Sequence, residues 1–341
     1  MTVIGKLVLV AGLFWHADAA QEPVMGNWSG EWSAASGAQG KVSAKIFGTG
    51  RDDYDSLFSV DRDGETKEIR ILLRGKIQDG KWTSEGTLEL GPEDGGTYQW
   101  TASVTGGEFT MHGESPEESF DLTMKRVELK SPTLGAKPPE GAVVLFDGTN
   151  LDSWTTRSGE PAHWKLIDGA MQVGARPDAK VLRGDIKSKP KFTDATIHVE
   201  FRTPYMPLMR GQLRGNSGVY IQGRYELQVL DSFGLPPKDN EAGGIYTMAV
   251  PKINASLPPG EWQTYDIDFT APRFNDKGEK VKPAQITVRH NGELIHDNVT
   301  LRDITPGGDG SDPREPGVLL LQDHGNPVQF RNIWFVPKKS D

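Results

Sequence analysis

Two β domains in series, a small antiparallel barrel or sandwich followed by a larger antiparallel sandwich, are what the sequence predicts for this 341-residue chain. Three observations predict it. Apolar and polar residues alternate over most of the length, 40 glycines and 23 prolines punctuate the alternating runs, and no convincing long helical period intervenes. The balance of 38 lysines and arginines against 47 acidic residues gives a net charge of −9, which argues against nucleic acid or an anionic membrane as the main partner. Cysteine is absent, so disulfides, thiol catalysis and thiolate metal sites are excluded.

At the N-terminus Lys6 precedes an apolar run over 7–15, and Ala17-Asp18-Ala19 fits a small-residue cleavage pattern. Residues 1–20 are therefore expected to be a signal peptide, and the mature protein periplasmic or secreted. The apolar run is too short to span a bilayer as a stable anchor, and no cysteine follows it for lipid attachment.

Residues 25–128 are expected to form the small β domain. The half-buried strands are marked by Trp28/Trp32, Val42/Ala44/Ile46, Tyr54/Phe58/Val60, Ile69/Ile71/Leu73, Trp82/Leu88/Leu90, Tyr98/Trp100/Ala102/Val104, Phe109/Met111 and Phe120/Leu122/Met124. Turn chemistry separates them: DRDG (61–64), QDG (78–80), EDGG (93–96) and GG (106–107). About eight short strands in meander order follow, with a self-contained core and no acid/base cluster. Such a domain is expected to be dispensable for chemistry but not inert.

Residues 129–141, LKSPTLGAKPPEG, carry three prolines and little that could be buried, and read as a linker. The second domain, 142–338, alternates strand signals with glycine- and proline-rich loops at 204–215, 233–244 and 306–316, as expected of an antiparallel sandwich with long loops over one concave sheet.

Its most informative stretch is GNSGVYIQGRYELQVLDS (215–232), which reads as a hairpin turning at Gly223-Arg224. Alternation puts Glu226 and Gln228 on one face and Tyr225, Leu227 and Val229 on the other, with Asp231 where the strand ends. Carboxylates projected from a strand point to carbohydrate chemistry. The strand at 196–202 likewise sets His198, Glu200 and Arg202 opposite Ile197, Val199 and Phe201, either as a solvated face or as a groove wall. In VLLLQDHGNPVQFRNIWFV (318–336), Gln322 and His324 extend along one side and His324 reaches a turn, where an imidazole can be a general acid or base. No spacing resembles a known metal motif, so no cofactor is required by the sequence and a divalent metal stays unassigned.

The blocks LFDGTNLDSW (145–154), HWKLIDGAMQV (163–173), HVEFR (198–202), NSGVYIQGRYELQVLDS (216–232), GGIY (243–246), GEWQTYDI (260–267) and LQDHGNPVQFRNIW (321–334) together resemble the 3-keto-disaccharide hydrolase domain family over residues 141–338. The resemblance implies a concanavalin-like β-sandwich and action on glucosides oxidised at C3. Its matching polar positions are Glu200, Arg202, Asn216, Glu226, Gln228, Asp231, Tyr246, His324 and Arg331.

A C3 ketone acidifies the C2 hydrogen, so cleavage can run by C2 proton abstraction and β-elimination at C1. That route needs one base, one enolate stabiliser and one acid. Glu226 or His324 is the expected base and Arg331 or Arg202 the stabiliser. Glu200, Arg202, Asn216, Gln228, Asp231 and Tyr246 are expected to bind an oligosaccharide or glycoside. A retaining glycosidase would need two carboxyls about 5–5.5 Å apart, yet the next position on the Glu226 face is an amide. A conventional glycoside hydrolase and a lectin-like binding module remain the alternatives.

Overall fold

The computed structural model describes residues 24–338 apart from 51–52, 63, 79–80, 91–95 and 175–183. The expected signal peptide lies outside the described residues. Eight antiparallel strands come first: β1 (Gly26–Ala34), β2 (Gln39–Gly50), β3 (Asp53–Arg62), β4 (Glu65–Gln78), β5 (Lys81–Glu89), β6 (Thr97–Thr105), β7 (Glu108–Glu114) and β8 (Ser119–Val127). They form a closed barrel rather than a sandwich, because β8 pairs back onto β1 with Trp28 opposite Arg126 and Trp32 opposite Leu122. Closure removes both sheet edges.

The alternation sets the polarity of the wall. Glu31, Lys41, Lys45, Glu85 and Lys125 face outward and are exposed, while Trp28, Phe58, Trp82 and Phe109 face inward. This is the reverse of a membrane-spanning barrel, whose outer band is apolar. Among the described residues no helix is long and apolar enough to cross a membrane.

The barrel's core is not self-contained. Phe233, with Tyr205 and Leu235 beside it, belongs to the same apolar cluster as Trp28, Phe47 and Phe109. The seam is tight: a Cβ on Gly234 would lie 2.1 Å from the Phe47 ring. Arg214, 2% exposed, donates to Gly48 O (2.5 Å) and Asp231 O (3.2 Å), and its Nε lies 3.1 Å from Asp231 Oδ2. Removing the barrel would therefore strip the cover from an aromatic plug and an arginine on the loops that lead to the hairpin. This corrects the expectation of a self-contained barrel core.

The second region contains β9 (Val143–Phe146), β10 (Trp154–Thr156), β11 (Lys165–Ile167), β12 (Ala170–Gln172), β13 (Ile186–Phe192), β14 (Ala195–Arg202), β15 (Ser217–Ile221), β16 (Tyr225–Val229), β17 (Gln263–Thr270), β18 (Arg273–Phe274), β19 (Lys280–Lys282), β20 (Ala284–His290), β21 (Glu293–Leu301), β22 (Gly317–Leu321) and β23 (Gln329–Pro337). A five-stranded sheet in the order β10-β13-β22-β15-β16 faces a larger sheet in the order β11-β12-β23-β14-β17-β20-β21, with β9 pairing β23. Val219, Leu227, Val229 and Leu321 from the first sheet share one core with Ile197, Phe201, Tyr265, Ile267 and Phe330 from the second.

The segment 129–141 is not a free linker. It lies over the outer face of the larger sheet, where Ser131 Oγ and Thr264 Oγ1 are 2.6 Å apart, Thr133 donates to Asp266 (2.6 Å) and Gly135 N donates to Glu200 Oε1 (2.5 Å). Its hydrogen bonds, rather than apolar side chains, hold it down, and an apolar pattern does not reveal them.

Candidate functional site

The hairpin β15–β16 turns through three residues, Gln222-Gly223-Arg224, so Ile221 pairs with Tyr225 and Tyr220 with Glu226. A two-residue turn at Gly223-Arg224 would have moved the register by one and sent Tyr220 to the opposite face. The extra residue is Gln222, held in the left-handed region at φ 55°. Tyr220, Glu226 and Gln228 consequently share the outer face of the five-stranded sheet with Leu320, while Tyr225, Leu227 and Val229 enter the core as the alternation requires.

Glu226 is 3% exposed. Tyr220 donates its phenol to Glu226 Oε2 at 2.8 Å and accepts from Gln322 Nε2 at 3.2 Å. Burial and then the charge on Glu226 push the Tyr220 phenol well above its ordinary range, which keeps it a donor. Glu226 Oε1 lies over Gly218, where a Cβ would come within 2.5 Å of it. The glycine makes the room.

Around this carboxylate stands a ring of amides. Gln212 Oε1 accepts from Asn216 Nδ2 (3.1 Å) and from Gln228 Nε2 (3.2 Å), tying a loop residue to the hairpin. Gln322 follows β22 and donates its backbone N–H to Gly218 O at 3.0 Å. The remaining oxygens, Asn216 Oδ1, Gln228 Oε1 and Gln322 Oε1, are buried and have no hydrogen-bond partner among the described residues. A buried acceptor left unmade costs about 1–3 kcal/mol. Three such acceptors beside a carboxylate suit a ligand rich in hydroxyl donors.

The cradle has a partly exposed rim. Tyr246 donates its backbone N–H to Glu226 O at 3.2 Å, and His324 stands exposed two residues beyond Gln322. Arg157, close enough to Tyr220 to act on its phenol, binds Asp185 through Nε (2.7 Å) and Nη2 (2.6 Å) and also holds the carbonyls of Gly307 and Gly308. Sequence reasoning missed Tyr220, Gln212, Arg157 and Asp185 as members of this cluster. The cross-strand partner of Glu226 could have been found from the hairpin register, but the others sit on loops without a pattern.

Three predicted residues lie elsewhere. Glu200, Arg202 and Arg331 occupy the outer face of the larger sheet, across the sandwich core from Glu226. There Glu200 is completely buried and binds Gly135 N (2.5 Å), Arg331 Nε (2.7 Å) and Asn332 Nδ2 (2.9 Å), with His198 Nε2 at 3.6 Å. Burial alone would raise its pKa, but the hydrogen bonds from His198, Asn332, Arg331 and Gly135 outweigh it and hold Glu200 at about 2. His198 bonds Asp266 at 2.6 Å, and its pKa is raised because the two carboxylates overcome the opposing effect of burial. Arg202 and Arg331 both stack on Trp262, at 4.8 and 4.0 Å from the ring centroid. The expectation that Arg331 or Arg202 stabilises an enolate formed at Glu226 is therefore corrected, because a buried apolar core separates them. Asp231 also leaves the cradle. It faces Arg214 at the barrel seam, and burial, opposed by Arg214, raises its pKa. Among the described residues no group of three or more His, Asp or Glu is placed to hold a metal ion.

A β-sandwich with a buried carboxylate among amide acceptors suits a hydroxyl-rich ligand, and the relatives are named as carbohydrate hydrolases. A model of the 3-keto-alpha-glucoside-1,2-lyase-like domain matches residues 141–336, more than half of the chain, and the chain belongs to that family. It is 22% identical over 258 residues to the 3-keto-disaccharide hydrolase of Bacteroides thetaiotaomicron, an alignment spanning 63% of this chain and 84% of the relative. A crystal structure of a candidate glycosyl hydrolase from Parabacteroides distasonis superposes with a TM-score of 0.52 at 37% identity, covering 59% of this chain and 85% of the other.

Proposed function

We propose that the protein cleaves the glycosidic bond of 3-keto-glycosides and that Glu226 is the base that removes the C2 proton. The observation that carries this reading is the buried Glu226 carboxylate beside three buried amides whose oxygens have no hydrogen-bond partner among the described residues. The neighbouring carboxylates do not supply a glycosidase pair, since Asp185 is bound to Arg157 and Asp231 to Arg214.

In the proposed sequence Gln228, Asn216 and Gln322 accept hydroxyl protons of the sugar, Tyr246 flanks the ring, and Glu226 Oε1 takes the C2 hydrogen. The C2–H electron pair forms the C2=C3 enolate. Protonation makes Glu226 a weaker acceptor, so the Tyr220 O–H turns from it to the enolate oxygen. Tyr220 thus takes the role that sequence reasoning gave to Arg331 or Arg202. Reformation of the C3 carbonyl creates C1=C2 and expels the C1 oxygen, which exposed His324 protonates. His324, now neutral, takes a proton from water as the water oxygen adds at C1, and Glu226 returns its proton to C2, completing hydrolysis. The N-terminal pattern of Lys6, the apolar run and Ala17-Asp18-Ala19 supports a periplasmic or extracellular site of action.

The test is purified protein incubated with a 3-keto-disaccharide and with its unoxidised parent, in deuterated water. Consumption of the keto sugar alone, with deuterium appearing at C2, is expected. Equal turnover of both sugars would overturn the proposal.

A further inference from the structure

Two neighbouring residues of one barrel strand hold the two loops that frame the cradle. Near its end β2 reads Phe47-Gly48-Thr49-Gly50, and its pairing with β3 shifts register between Gly48 and Gly50. An irregularity of this kind re-aims a strand locally, and here the Gly48 carbonyl accepts from Arg214 Nη1 at 2.5 Å while the Phe47 ring packs on Gly234. Arg214 lies on the loop that delivers Gln212 and Asn216. Gly234 lies on the loop that delivers Asn240 and Gly243. The two loops then meet beside the hairpin, where Gln212 Nε2 donates to Asn240 O (2.7 Å) and Gly243 N donates to Gln228 O (3.0 Å).

Arg214 is the bracket between barrel and cradle. Its backbone N–H closes the single 3₁₀ turn Gly211–Leu213 on Gly211 O (3.0 Å), and its carbonyl accepts from Asp231 N (3.3 Å). Its guanidinium spans Gly48 O on the barrel and both Asp231 O and Asp231 Oδ2 at the end of the hairpin. Glu241, the other carboxylate acting on Asp231, accepts from Ser232 Oγ at 2.6 Å. The next residue, Gly215, passes at φ 64° between Asp231 and Thr203, and a Cβ there would lie 3.1 Å from each side chain. The chain therefore has no slack between Arg214 and Asn216, and a shift of Arg214 must move Gln212, the shared acceptor of Asn216 and Gln228. Glu226 is held separately, by Tyr220 on its own hairpin.

We propose that Arg214 is a positioning residue through which the barrel sets the sugar-binding amides, so that the N-terminal domain contributes to substrate affinity and not to the chemical step. This rests on the reading of the cradle as the site of a 3-keto-glycoside. Hydrogen bonds from sugar hydroxyls to Asn216 and Gln228 are made alike before and during proton abstraction. Loosening them removes uniform binding, which raises KM and leaves kcat in place.

The test is steady-state kinetics of the full chain on a 3-keto-disaccharide, with thermal midpoints measured alongside. Arg214→Met alone leaves Asp231 buried without its cation and should lower the midpoint. The double variant Arg214→Met/Asp231→Asn removes both charges together, a replacement that buried pairs tolerate with little loss of stability. It should raise KM about tenfold, the worth of one hydrogen bond, with kcat within about twofold of wild type. Arg214→Lys keeps the charge but cannot span Gly48 and Asp231 at once, and should raise KM by only about threefold. Lys41→Ala, on the exposed exterior of β2, should alter neither constant. Unchanged KM in the folded double variant, with wild type active, would overturn the coupling and leave Glu226 as the base. A kcat that falls in step with the midpoint would also overturn it, being the mark of general destabilisation. Absence of turnover by wild type would overturn the proposed function and this inference with it.

Discussion

The two outer faces of the sandwich each bury a strand carboxylate, and they treat it in opposite ways. On the larger sheet every partner of Glu200 is supplied from within the chain: two side-chain donors, a backbone N–H and a neighbouring imidazole. On the five-stranded sheet Glu226 receives Tyr220, but among the described residues the amide oxygens beside it are left without donors. The first arrangement holds a segment of chain in place. The second holds polar groups ready for something from outside. Burial of a carboxylate is therefore not itself a functional signal; what distinguishes the faces is whether the surrounding acceptors are satisfied.

The largest effects should separate the faces by kind. Glu226→Gln is expected to lower turnover of a 3-keto-disaccharide by about 10²–10⁴-fold, the usual worth of a general base, and to stop C2 deuterium exchange while the unfolding midpoint stays put. Glu200→Gln should do the converse. Removing one partner of a buried ion pair costs about 3–5 kcal/mol, to be read by denaturant unfolding, and the variant that remains folded should turn over substrate normally. A stable Glu200→Gln protein with lost activity would reverse the assignment of the two faces.

Acidity sharpens the same contrast. Glu200 lies at about 2 in the folded chain against an ordinary 4.5, so its stabilisation is present above pH 4.5 and is lost as pH falls toward 2. The stability gap between wild type and Glu200→Gln should narrow across that window. His198 has the opposite sign: its pKa is raised above 6.5, so its contribution is complete below 6.5 and is lost as pH rises through the raised value.

Smaller effects probe the cradle's fit. Gly218→Ala places a methyl where Glu226 Oε1 now lies, and a displacement of this size should cost roughly 10–100-fold in turnover. Gln228→Met removes an unpaired acceptor without emptying its volume. It should leave stability unchanged or raise it by up to about 1 kcal/mol, while the KM for the keto sugar rises. A destabilised Gln228→Met would mean that the Nε2 donation to Gln212 outweighs the cost of the unpaired oxygen.

Much of this architecture was legible because a two-residue period survives any tertiary context. The barrel strands and the inward Leu227/Val229 pair follow from alternation alone. Alternation tells which face of a strand is polar, but not which sheet the strand joins. Glu200 and Arg331 looked like partners of Glu226 for that reason, and only β14 and β23 pairing in the other sheet separates them. Tyr220 was obscured by one turn residue, since Gln222 adopts a positive φ that its side chain does not advertise. The 129–141 cover was hidden by its prolines, which suggest a spacer while Ser131, Thr133 and Gly135 dock it.

The plug at the barrel seam has a consequence for biosynthesis. The last barrel strand ends at Val127, but Phe233 and Leu235, which complete the barrel's packing, follow more than a hundred residues later. At about 5–20 residues per second this interval is on the order of ten seconds of translation. During it the nascent barrel has one unfilled end, so its final packing waits for the hairpin that carries Glu226. The N-terminal region of this chain is synthesised first and finished second.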